Sequence, residues 1–158
     1  MKHGFWDFTL KFYGGEGVSE ALVRLQDECG LDVNVLLYAI WRGLAGQALA
    51  AGDARAAEAA IAIWRSQVTE PLRDLRRRLK QAEWTGLPAG LRARAEGAFR
   101  EQVKAAELES EQLTQAVLEA LPACAAGGTG TVAANLAAVR SALAPAAAQA
   151  EAARLCSV

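Results

Sequence analysis

An all-α fold, a helical bundle, is predicted for this chain by three observations. Apolar residues recur at spacings of three and four through Ile61, Trp64, Val68, Leu72, Leu75 and Leu79, which lines one face of a helix. Residues 33–51 form a nearly continuous apolar run of helical length. The chain is 53% hydrophobic, and the excess over an ordinary globular protein is largely alanine, which favours helix without filling much volume. Its 158 residues suit a single domain.

Residues 1–52 are expected to form a compact three-helix unit. Phe5, Phe8 and Phe12 share one helical face, widened by Trp6 and Tyr13, and Gly14 and Gly15 then release the chain. A second helix is predicted over residues 18–29, with Val18, Leu22 and Leu25 on one side and Gly30 as a left-handed stop packed by Leu31. Asp32 caps the third, because its carboxylate accepts from the free N–H groups of the next turn. That helix is predicted over residues 33–51, closed by Gly52. Arg42 near its middle argues against a membrane span, since an arginine at mid-bilayer costs roughly 2.5–3.5 kcal/mol. A buried central helix is therefore expected. Its Ala39, Gly43, Gly46 and Ala50 make a narrow face for close approach of another helix, while Leu36, Leu37, Ile40, Trp41 and Leu44 require cover from other helices or a second subunit.

Residues 53–122 read as a long antiparallel hairpin. Asp53 is the expected N-cap of the first arm, and Pro71, which removes one N–H and crowds the carbonyl of Gln67, should kink that arm, with Thr69 capping its second piece. A turn over residues 85–90 leads to a return helix marked by Leu91, Phe99, Val103, Leu113, Val117 and Leu121. Residues 123–158 are alanine-rich, with a break before Pro145. Only Val132, Leu136, Val139 and Leu143 anchor this tail, so loosely docked, mobile helices are expected.

Composition and motifs exclude more chemistry than they support. A net charge of −1 and a pI near 5.9 give no global attraction for nucleic acid, and no nucleic-acid partner is expected. Cys29, Cys124 and Cys156 are far apart and form no C-x-x-C pair, which argues against a disulfide framework or zinc site and suits a reducing cytoplasm. The N-terminal stretch is too aromatic and too charged for a signal peptide. His3 is the single histidine, so a catalytic triad or a histidine-rich metal site has no material. The Gly127–Gly128–Thr129–Gly130 run lacks the strand before it and the lysine after it that a phosphate loop needs. No catalytic residue, metal or cofactor is assigned.

Two groups of charges remain. Arg73, Arg76, Arg77, Arg78 and Lys80 are basic, diluted by Glu70, Asp74 and Glu83; Glu101, Glu107, Glu109 and Glu111 on the return helix are placed to face and neutralise them. In the N-terminal third, Asp7, Gln26, Asp27, Asp32, Asn34 and Arg42 sit within an apolar, aromatic setting. A buried guanidinium needs a partner, so Arg42 is expected to meet Asp7 or Asp27, or to bind an anion in a pocket floored by Trp6, Tyr13, Tyr38 and Trp41.

Phe5-Trp6-x-Phe8, Tyr13, Gly17-Val18, Leu25-Gln26-Asp27, Gly30, Asp32-Val33-Asn34, Leu36-Leu37 and Trp41 resemble the signature of a proteobacterial family of small proteins known only as a domain of unknown function. The resemblance covers roughly residues 4–47 and implies no activity, cofactor or catalytic residue. The leading functional expectation is a cytoplasmic protein–protein interaction or adaptor module, binding another protein or itself. A small anionic-ligand binder or enzyme using Arg42 and a nearby aspartate is the second, and a phasin-like coat of hydrophobic granules or lipid is the third.

Overall fold

A computed structural model describes residues 4–15, 17, 18, 22, 24, 30–81, 86–122 and 131–143, and all regular structure among them is helical. The elements are α1 (Phe5–Tyr13), α2 (Val33–Leu44), α3 (Ala51–Trp64), α4 (Glu70–Gln81), α5 (Ala89–Arg94), α6 (Arg100–Glu119) and α7 (Val132–Leu143). Wide π-helical turns, Arg65–Thr69 and Ala95–Phe99, join α3 to α4 and α5 to α6. His3, the three cysteines, most of the helix expected over residues 18–29, Thr85, residues 127–130 and the tail beyond residue 143 lie outside the described residues. The chain divides into two compact units, residues 1–61 with 115–158, and residues 62–114.

The first unit is built on α2. Asp32 caps it as expected, accepting from the backbone N–H of Asn34 at 2.7 Å and of Val35 at 3.4 Å, and Gly30 takes the left-handed conformation with φ 62°. Every residue from Val35 to Ile40 is buried, so this helix is enclosed nearly all round. It ends at Leu44, earlier than the apolar run suggests. Gly46 adopts φ 71°, Gln47 N–H donates to the Arg42 carbonyl at 2.9 Å and Gly46 N–H to the Gly43 carbonyl at 3.0 Å. Those paired bonds form a Schellman stop, satisfying carbonyls the helix end would otherwise leave bare. Gly52 accordingly falls inside α3, and Asp53 lies in the first turn of α3, where its carboxylate reaches back to the N–H of Ala50 at 2.7 Å.

The small face of α2 receives α7. A Cβ on Gly43 would lie 2.7 Å from the Val132 backbone, so the two helices approach too closely for any side chain there. Asn135, fully buried, donates to the carbonyls of Ala39 at 3.1 Å and Gln47 at 2.9 Å and accepts from Leu49 N–H at 2.9 Å. One amide thus satisfies three backbone groups in the apolar interior. Val139 is buried one helical turn further on, and the other expected anchors, Val132, Leu136 and Leu143, pack against the same core.

In the second unit the arms are antiparallel, fixed by Arg73 meeting Glu107 and Glu111 and by Arg76 meeting Glu107. The first arm passes Pro71 without a break. The π turn ahead of the proline replaces the usual bond with one from Glu70 N–H to the Arg65 carbonyl, and Ser66, Gln67 and Pro71 all face solvent. On the return arm the buried residues are Val103, Glu107, Ser110 and Thr114, whereas the expected seam residues Leu91, Phe99 and Leu113 are exposed. The seam is therefore polar over most of its length. Its centre is a hydroxyl cluster, in which Ser110 Oγ lies 2.7 Å from Thr69 Oγ1 and accepts from Trp64 Nε1 at 3.0 Å, while Thr114 Oγ1 donates to the Ser110 carbonyl at 3.0 Å.

Candidate functional site

Arg42 is the most unusual charged group of the first unit. It lies in the last turn of α2 and is buried to 5% exposure. Nη1 donates to Gln47 Oε1 at 2.7 Å and Nη2 to the Leu121 carbonyl at 3.0 Å, and the guanidinium carbon lies 5.0 Å from the centre of the Tyr38 ring and 5.2 Å from that of Trp41. The charge is balanced by neutral oxygens, two π faces and the negative end of α6, two residues before Leu121. Nε is buried and has no hydrogen-bond partner among the described residues. The expected bridge to Asp7 does not form, because Asp7 is exposed in the first turn of α1, where its charge favours that helix's N-terminal dipole. Gln26 and Asp27 lie outside the described residues.

The remaining predicted residues divide by location. Tyr38 and Trp41 join Phe5 in a ring cluster, with Phe5 5.2 Å from Trp41 and 6.0 Å from Tyr38. Trp6 is half-buried and Tyr13 exposed on α1. Asp32 serves as the cap of α2. Asn34 Oδ1 accepts from Gln115 Nε2 at 2.9 Å. Sequence reading passed over Glu119, whose Oε2 accepts from Phe5 N–H at 3.2 Å and supplies the cap that Gly4 has no side chain to provide. Asn34–Gln115, Phe5–Glu119 and Arg42–Leu121 together tie α1 and α2 to the end of the return helix.

The second unit pairs its charges inward. Burial alone would lower the pKa of Arg73, but hydrogen bonds to Glu111 and Glu107 outweigh it and raise the value; the hydrogen bond to Glu107 raises that of Arg76. Burial would push the Glu107 carboxyl up, yet the Arg76 and Arg73 guanidinium groups hold it below the ordinary range. The neutralisation across the hairpin foreseen for Glu107 and Glu111 is present. Among its otherwise polar exposed residues are large apolar ones: Ile63 is 78% exposed, Leu108 53% and Leu113 49%.

Among the described residues no group of His, Cys, Asp and Glu is placed to hold a metal ion, and no helix is long and apolar enough to cross a membrane. A family model described as a protein of unknown function matches residues 4–118, well beyond the stretch 4–47 that carries the resemblance. No curated protein and no solved structure matches the chain.

Proposed function

The chain belongs to DUF2390, a family of proteins of unknown function, and from that premise and its exposed residues we propose a cytoplasmic protein-interaction module, binding a second copy or another protein through the hairpin. One observation carries the reading: in the middle of the return helix Glu107 and Ser110 turn toward the partner arm, while large apolar Leu108 and Leu113 face solvent. Large apolar side chains held outward on a rigid scaffold gain free energy when a partner covers them. The inward ion pairs and hydroxyl cluster supply that rigidity, since each bond has a fixed geometry that a sliding apolar seam would lack.

Sedimentation velocity, cross-linking and affinity capture test the proposal. A self-associated species or a stoichiometric protein partner is expected, and Leu113→Asp should abolish either while leaving the helical circular-dichroism signal intact. A chain that stays monomeric at every concentration and captures no partner overturns it.

The unpartnered Nε of Arg42 favours a second reading, binding of a small anion beside α2. Phosphate or a small carboxylate should then raise the melting temperature of the native chain and leave Arg42→Lys unaffected. Equal response of both proteins rejects this reading.

A further inference from the structure

The hairpin unit carries a second feature, at its tip. Arg76, on the last turns of the first arm, meets Glu107, and α5 begins at Ala89, eighteen residues before Glu107 on the return arm. Every residue from Gly86 to Arg94 is exposed. α5 carries Leu91 in its first turn, 53% exposed, and exposed Leu87 stands just before it.

Those leucines are set among cations. Arg92 and Arg94 lie on α5, and Arg77, Arg78 and Lys80 lie on the described last turns of α4, all exposed. Among the described residues none of these makes an ion pair except Arg77, whose nearest carboxylate oxygen, on exposed Asp74, is 3.9 Å away. Arg73 and Arg76, by contrast, are committed to Glu107 and Glu111. Across residues 77–94 the sequence has a single acidic residue, Glu83, with Glu96 just beyond; the whole chain nevertheless carries −1. Positive charge is thus concentrated at one end, and the remainder of the chain carries the compensating acidic excess.

We propose that the hairpin tip, through Leu87 and Leu91 flanked by Arg77, Arg78, Lys80, Arg92 and Arg94, docks on an anionic phospholipid surface. Guanidinium and ammonium groups meet lipid phosphates while the two leucines enter the headgroup boundary, a division of labour that the side-by-side placement of both residue types permits. A nucleic acid would use the cations but gain nothing from buried aliphatic side chains, which is why lipid is favoured. The local excess of positive charge attracts such a surface over a range that shortens with added salt.

Co-sedimentation of the full chain with vesicles of phosphatidylcholine containing phosphatidylglycerol, and with phosphatidylcholine alone, tests the assignment. Binding to the anionic vesicles is expected, weakened at least about tenfold by the double change Arg92→Glu with Arg94→Glu and also reduced by Leu87→Ser with Leu91→Ser. All four side chains are exposed, so both variants should keep the wild-type helical signal. No binding to the anionic vesicles, equal binding to neutral and anionic vesicles, indifference to the arginine changes, or indifference to the leucine changes each overturns the proposal. Preferential binding of a single-stranded oligonucleotide that is unaffected by the leucine changes overturns it in favour of nucleic acid.

Discussion

The Arg42 guanidinium donates to the backbone carbonyl of Leu121, 79 residues further along the chain, at 3.0 Å. A cation at the end of a helix is favourable where backbone carbonyls have run out of N–H partners, and here it also joins two distant segments within one core. The same side chain reaches Gln47 across the turn that ends α2. It fixes the turn and the contact together.

Replacing Arg42 by alanine therefore leaves Gln47 Oε1 and the Leu121 carbonyl without their donor and removes the stacking on Tyr38 and Trp41. A loss of about 2–4 kcal/mol is expected in urea unfolding. Arg42→Lys, which cannot span both acceptors, should recover only part of it. A loss below about 0.5 kcal/mol for the alanine variant means the side chain contributes little to the fold.

Asn135 should be among the least replaceable residues. Leucine of similar volume leaves Leu49 N–H without its acceptor in the interior, so a cost of about 3 kcal/mol is expected from thermal or chemical unfolding, despite the added apolar surface. Stability equal to wild type would mean that solvent reaches this amide.

Gly43 and Gly46 offer a paired comparison. A Cβ on Gly46 meets nothing, so Gly46→Ala should cost only the strain of its left-handed backbone, about 1–2 kcal/mol. Gly43→Ala ought to gain about 1 kcal/mol as a helix-interior substitution, yet its Cβ would meet the Val132 backbone at 2.7 Å. Net destabilisation is expected, with α7 displaced; protection of α7 amides in hydrogen exchange measures it.

Glu107 sets the acid limb of hairpin stability. Its folded pKa lies below the unfolded value, so its contribution is complete above the unfolded pKa, declines as pH falls below that value, and is lost once pH has passed through the folded one. Unfolding followed from pH 6 down to about pH 3 should show wild type losing stability over this window and Glu107→Gln losing less, while being less stable by about 2 kcal/mol at neutral pH. Parallel curves for the two proteins would show that other carboxylates dominate.

The helices were legible where local chemistry decides. Aromatic spacing in α1, the Asp32 carboxylate and the Gly30 conformation each act within a few residues, and a short window of sequence contains them. The premature end of α2 was also local, but Gly46 was read as a packing residue rather than as the left-handed position of a stop. The polar hairpin seam was less accessible. Leu113 is apolar and Thr114 polar, and only the pairing of Thr69 with Ser110 and of Arg73 with Glu107 across the arms determines which of the two neighbours turns inward. The carbonyl that meets Arg42 was invisible for another reason: every residue has one, so no residue type marks the acceptor.

Asn135 also bears on the order in which the molecule can assemble as it is synthesised. Residues 62–114 contact one another and emerge from the ribosome as one block, free to pair early. The earlier segment, with Val35, Leu36, Leu37 and Ile40, has to wait for a lid encoded a hundred residues downstream. Nascent chains halted before residue 131 keep the small face of α2 uncovered, and so leave an apolar helix open to chaperones until α7 is made.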